Sequence, residues 1–202
     1  METRTPRGTA RQRLAETAAE EFYRHGVTAS GVDTIAARAG VSKPTLYAHF
    51  RSKTELVAAA LEHQHTTRRG QVERHLAALA GVPARERLLA LFDWLAAHQA
   101  ATGNRGCAFV DAAAELTSAA DDAPRAVARA HKSWWRGLLA GLAAEAGAAD
   151  PEALGEELLL LIDGANARVL VQGDAAPVAR ARDIADVLIT ARTRGAAAGG
   201  RS

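Results

Sequence analysis

Cysteine is nearly absent. The 202-residue chain carries one, Cys107, which excludes an internal disulfide framework and fits a reducing cytoplasm. Aromatic residues are scarce, at 4%. No apolar run approaches the roughly 20 residues of a membrane-spanning helix, and the longest is cut by Asp163. The N-terminal stretch "METRTPRGTARQR" is basic but no apolar core follows it, so it does not read as a secretory signal. There is no strand pair, no internal repeat and no long linker. A glycine-rich phosphate loop, a nucleophile-plus-base motif, an H-x-x-x-H pair and Cys/His metal spacing are all missing, which argues against an enzyme, a bound metal and a cofactor. Abundant alanine and few β-branched runs favour helix almost everywhere.

What is present is an uneven charge. Net charge is only +2, but residues 1–80 carry 12 Lys/Arg against 8 Asp/Glu, a net of +4, and residues 81–189 carry 10 against 15, a net of −5. A basic front and an acidic middle suggest two functional parts, the front being the better match for a polyanion. The acidic two-thirds argues against a non-specific DNA-packaging protein.

Helix punctuation is dense at the front. Leu14, Ala18 and Phe22 recur every four residues. Ser30 and Asp33 read as a capping box for "VDTIAARA", and Gly40 as its left-handed stop. Ser42 caps the next helix, and Pro44 falls in its first turn. Ser52 and Glu55 read as a second capping box. Ile35 and Ala36 face inward on one helix, Gly40 and Val41 make a tight turn, and Leu46 plugs the following helix into the first. Two helices crossing around a glycine turn form a helix-turn-helix, whose second helix enters the DNA major groove. Its exposed N-terminal residues are Lys43, Pro44 and Thr45; Tyr47, His49, Arg51 and Lys53 fall beside the phosphates.

"AETAAEEFYRHGVTASGVDTIAARAGVSKPTLYAHFRSKTELVAAAL" resembles the DNA-binding domain of the TetR (tetracycline-repressor-like) transcriptional regulators. Phe22, Gly26, Ile35, Ala36, Gly40, Val41, Ser42, Leu46, Tyr47, Phe50, Lys53 and Leu56 carry the likeness, over residues 11 to 62. It departs at Ser30–Gly31, where many members have two hydroxyl residues. The resemblance implies a homodimer that binds double-stranded DNA through residues 1–62. Residues 63–195 would then be a helical ligand-binding and dimerisation domain, with 196–202 a disordered tail. It also implies that Tyr47, His49 and Lys53 contact phosphates with help from Ser30, and that Lys43 and Thr45 read bases. Arg4, Arg7, Arg11 and Arg13 form either an arm on the DNA or a solvated tail.

The rest of the chain also reads as helices. Its few aromatics cluster between residues 92 and 135, and a mostly apolar pocket for a small molecule is expected from Leu91, Trp94, Leu95, His98, Cys107, Phe109, Val110, His131, Trp134, Trp135 and Leu138. Trp134 and Trp135 are adjacent, so only one points fully inward. Asp111 and Glu115, four apart, read as ion-pairing groups rather than metal ligands or an acid–base pair with His98 or His131. Cys107, near Arg105, is either a sensor thiol or a small packing residue. "EELLLLIDGANARVL" is apolar almost all round, and with "ARDIADVLITAR" suggests an intermolecular four-helix bundle. Its interface would use Leu158, Leu159, Ile162, Asp163, Asn166, Leu170, Ile184 and Leu188. The expected molecule is all-α: an N-terminal helix-turn-helix domain and a C-terminal helical domain, working as a ligand-responsive repressor, or as a redox-responsive regulator acting through Cys107.

Overall fold

Helix follows helix along the chain, with no strand among the described residues. The structure is a computed structural model and describes residues 9–116 and 122–193. The helices are α1 (Ala10–His25), α2 (Val32–Arg38), α3 (Lys43–His49), α4 (Lys53–Ala78), α5 (Ala84–Thr102), α6 (Ala108–Glu115), α7 (Asp122–Glu145), α8 (Pro151–Gln172) and α9 (Ala176–Thr193). The all-α class is as the sequence implies. Arg4, Arg7 and the expected tail at 196–202 lie outside the described residues.

Local chemistry sets the boundaries. Thr9 opens α1 through a capping box with Gln12, a signal the sequence reading missed. Ser42 opens α3 by accepting the Thr45 N–H at 3.2 Å. Ser52 opens α4 by accepting the Glu55 N–H at 3.1 Å, but Glu55 reaches back to the Arg51 N–H rather than closing a full box. The capping box expected from Ser30 and Asp33 does not form. Gly31 holds the cap position of α2, because the Ser30 hydroxyl is turned inward to donate to the Gly26 carbonyl at 2.6 Å.

The chain clusters into two compact units. The first runs to Arg69 and includes Ala108–Ala130; the second comprises Gly70–Cys107 and the chain from His131 onward. This differs from the division expected after residue 62. Helix α6 joins the first unit because its apolar face, with Phe109 and Ala112 buried, packs toward α1. The first core centres on Leu14, Ile35, Leu46, Phe50 and Leu56, each wholly buried. In the second, α9 packs against α8 and α5 around Leu88, Leu91, Phe92, Leu139, Leu154 and Ile189.

One crossing in the second unit is unusually close. A Cβ placed on Gly155 of α8 would sit 2.8 Å from the Ala140 amide nitrogen on α7. The neighbour is backbone and cannot swing aside. Gly155→Ala should destabilise by about 1–3 kcal/mol, as overpacked cores do. Calorimetry should find the melting point lowered by roughly 2–4 °C per kcal/mol; an unchanged or raised melting point would refute the close crossing.

Candidate nucleic-acid interface and effector region

Helix α3 is sealed on one side and open on the other. Leu46 and Phe50 are 0% exposed, while Lys43, Pro44, Tyr47 and Arg51 are exposed and Thr45, His49 and Lys53 are partly so. The turn before it is made by Gly40 at φ +68°, with the Val41 N–H donating to the Ala36 carbonyl at 3.0 Å. Arg11 lies over the Phe50 ring at 4.3 Å and donates to the His49 carbonyl. It is therefore bound into α1 and α3 and is not part of a free arm; Arg13 also lies within α1. Lys43 is held by Asp33 on α2 at 2.9 Å, and this carboxylate raises its pKa. Ser30 departs from expectation. It is only 4% exposed and its hydroxyl is spent on backbone carbonyls of its own unit, so it offers no hydroxyl to a phosphate.

Glu115, at the end of α6, makes contacts that the sequence did not reveal. Its two carboxylate oxygens accept the Val27 N–H at 3.0 Å and the Thr28 N–H at 2.6 Å. Gly26, at φ +84°, clears the approach, since a Cβ there would come within 2.9 Å of the carboxylate. Lys53 donates to the Thr28 carbonyl at 3.4 Å. Burial works to raise the Glu115 pKa, but the Thr28 and Val27 hydrogen bonds and Lys53 outweigh it and hold the carboxyl below its ordinary value. Burial pushes Lys53 down, and Glu115 pulls it back up. Glu115 thus acts on a loop and a lysine rather than as half of a simple ion pair with a neighbouring side chain. Beside it, α1, α4 and α6 leave a cleft of about 20 Å³, room for a single water and no more.

The residues expected to line a pocket belong to both units. Phe109 and Val110 fall in the first unit; Phe109 is buried in it and Val110 is 44% exposed. In the second unit Leu91, Leu95 and Trp135 are packed into the core, with Trp134 and Leu138 partly buried against it. Trp135 is the inward member of the tryptophan pair. His131 is buried and lies 6.0 Å from the Trp134 ring. Trp94 and His98 stack at 5.2 Å and line an open groove of about 450 Å³ together with Gln71, Arg74, His75 and Ala97.

Cys107 is partly buried and has a cation beside it. Its sulfur accepts a hydrogen bond from Lys132 at 3.6 Å, and Lys132 also bonds Asp163. Burial works to lower the Lys132 pKa, but Cys107 and Asp163 outweigh it and raise it. The preceding loop is locked by a buried amide network. Gln99 donates to the Gly106 carbonyl at 2.8 Å and to Asn166 Oδ1 at 2.7 Å, and accepts the Gly106 N–H at 3.2 Å. No group of three or more potential metal ligands occurs among the described residues.

The expected interface list needs correction at residue level. Leu158, Leu159, Ile162 and Asn166 are at most 6% exposed within the chain's own core, and Asp163 is engaged by Lys132. Leu188 packs partly against that core. The open apolar side chains are Leu160, Leu170 and Val171 on α8 and Ile184 and Val187 on α9, the largest exposures being 85% at Val171 and 69% at Val187. Leu160 escaped the sequence pattern because four successive leucines at 158–161 hide which one faces outward.

A helix-turn-helix whose second helix keeps an open polar side is the arrangement found in DNA-binding transcriptional regulators, and a second unit, helical among its described residues, accompanies it here. Two family models match the chain: bacterial regulatory proteins of the tetR family over residues 14–60, and a tetracyclin repressor-like C-terminal domain over residues 84–185. The chain belongs to the TetR family. It is similar to the HTH-type transcriptional activator FasR of Mycolicibacterium smegmatis, 52% identical over 29% of this chain and 27% of that protein. An HTH-type transcriptional repressor of Streptomyces coelicolor is 42% identical over 31% of this chain and 32% of its own. The chain thus spans about a third or less of these curated relatives. Among solved structures, a TetR-family regulator from Streptomyces coelicolor is 31% identical with a TM-score of 0.74, covering 93% of this chain and 95% of that one. The regulatory protein TetR from Rhodobacter sphaeroides, 24% identical with a TM-score of 0.79 over 90% and 99% of the two chains, shares the fold.

The Glu115 contacts carry a pH dependence. A carboxyl depressed on folding stabilises fully above its unfolded pKa and loses that contribution as pH falls through the folded value. Glu115→Ala should therefore cost stability above the ordinary value of 4.5 and cost progressively less below it. Hydrogen exchange should also quicken at the Val27 and Thr28 amides; unchanged exchange there would remove Glu115 from the loop.

Proposed function

We propose that the protein is a cytoplasmic, homodimeric repressor, released from a palindromic operator by a small molecule that binds the C-terminal helical part. The observation that carries the reading is the division of α3 into a sealed apolar side and an open side bearing Lys43, Pro44, Tyr47 and Arg51. Lys43 and Thr45 would meet base edges, lysine donating to guanine and the threonine methyl resting on a thymine methyl. Tyr47, His49, Arg51 and Lys53 would hold phosphates. Two such helices reading half-sites about one DNA turn apart require two copies of the chain.

The open apolar stripe supports pairing through α8 and α9. Leu160, Gly164, Ala167 and Val171 recur at helical spacing, and a Cβ on Gly164 would meet nothing. Small residues amid large ones let a second copy's helices approach closely, and a two-fold axis presents the same stripe twice. An effector that discharges the DNA completely must favour the released form by roughly 10⁴-fold, and DNA and effector then weaken each other equally.

A second reading has its own support. The Lys132–Cys107 contact favours a redox-responsive regulator acting through Cys107. Cys107→Ser should abolish an oxidant response and spare an effector response; a mutant still released by oxidant would dispose of it.

Gel shifts on the DNA flanking the gene test the main reading. Tyr47→Ala or Lys53→Ala should weaken binding to all sequences alike, and Lys53→Ala should also reduce the salt slope by about one; loss confined to one base position would contradict the phosphate role. Lys43→Ala should relax preference at one base pair, scored on a randomised operator library, and an unaltered preference would remove it from readout. Val187→Glu should give a folded monomer by analytical ultracentrifugation with operator affinity lost, whereas a dimeric Val187→Glu would place the pairing surface elsewhere.

A further inference from the structure

We propose that the open groove along α4 and α5 is a binding site for a planar aromatic carboxylate, and that such an acid is the effector class. This rests on the effector-responsive reading above.

The groove has two unlike walls. On α5, Trp94 and His98 are one turn apart and stack with their planes 14° from parallel. The ring array continues to Trp135, whose centroid lies 6.5 Å from that of Trp94. Trp94 is nevertheless only partly buried, so an aromatic edge is left at the surface of the core. A planar ring laid along it would gain offset or edge contacts as well as burial. On α4, Gln71, Arg74 and His75 form the other wall. His75 is fixed in place by a hydrogen bond across to the Ala90 carbonyl at 3.2 Å.

Charge selects the acid. The lining contains one arginine, two histidines and no Asp or Glu. The nearest carboxylate in sequence on α5, Asp93, is taken by Arg182 at 2.8 Å. Arg74 is exposed, and no carboxylate pairs with it among the described residues. Its guanidinium lies over Gly70, one turn back, where a Cβ would come within 3.3 Å of it. Glycine inside a helix costs about 1 kcal/mol relative to alanine, and here it leaves bare the strip along which the guanidinium lies. An arginine fork takes a carboxylate through two parallel N–H bonds, a geometry a neutral ring cannot use. A groove of about 450 Å³ lies in the size range of small-molecule sites.

Calorimetric titration of the full-length protein tests this with three probes: 2-naphthoate, the uncharged 2-naphthamide, and the non-aromatic cyclohexanecarboxylate. 2-Naphthoate should bind at least about tenfold more tightly than either of the others, a difference of about 1.4 kcal/mol. Arg74→Gln, at an exposed position, should bring it down to the level of the amide, and Trp94→Phe should retain the preference for the acid. Equal binding of acid and amide, acid binding unaffected by Arg74→Gln, or no binding of 2-naphthoate at about 1 mM would each overturn the proposal. Gel shifts without any probe examine DNA binding separately. Operator binding without naphthoate binding defeats the groove assignment and leaves the regulator standing, and the reverse result defeats the regulator.

Discussion

The complete burial of Leu46 and Phe50 is the constraint on which the DNA-facing surface depends. Helix α3 has seven residues, far below the length at which a helix holds itself together in water. It persists because these two side chains are sealed against Ile35, Ala36 and Leu14, each burial contributing about 1.5–3 kcal/mol. Arg11 closes the far end by covering the Phe50 ring and capping the His49 carbonyl. The orientation of Lys43, Tyr47 and Arg51 is thereby inherited from residues that never meet solvent.

The other fixed points are polar. Glu115 ties the α1–α2 loop to α6 through two backbone amides, and Gln99 ties the loop before α6 to α8 through Gly106 and Asn166. The Gln99 network is buried, and a buried, partnered network specifies one arrangement where apolar contacts alone would tolerate several. Both rely on a glycine with positive φ, Gly26 and Gly106, whose missing Cβ lets the partner approach. Changes at these glycines would loosen a loop without removing any of its hydrogen-bonding groups.

The helix-turn-helix was legible because its signals are local. Gly40, Ser42 and Pro44 each act within a few residues of where they stand, and Leu46 sits at a spacing that fixes its side. What was not legible depended on groups far apart in sequence. Ser30 has the right spacing to Asp33 for a capping box, but a carbonyl at Gly26 competed for its hydroxyl and won. The amides that donate to Glu115 lie 88 and 87 residues away, and Lys132 reaches Cys107 across 25. In α8 the leucine run gave no amphipathic contrast, so periodicity identified the helix but not its outward residues. For the groove, Trp94 and His98 were within reach of sequence reasoning; Arg74 was not, because nothing in its own helix turn announces that α5 lies opposite.

The Asp33–Lys43 bridge sets a threshold on what this surface will accept. An acceptor that engages Lys43 meets an ammonium already held by a carboxylate at 2.9 Å, and either shares it or displaces that carboxylate. A weak or badly aligned acceptor leaves the lysine where it is, and only a well-placed one exchanges with the carboxylate. An acceptor placed to share the ammonium with Asp33 keeps the pair, while one that needs the carboxylate moved loses it, so the bridge sorts acceptors by position.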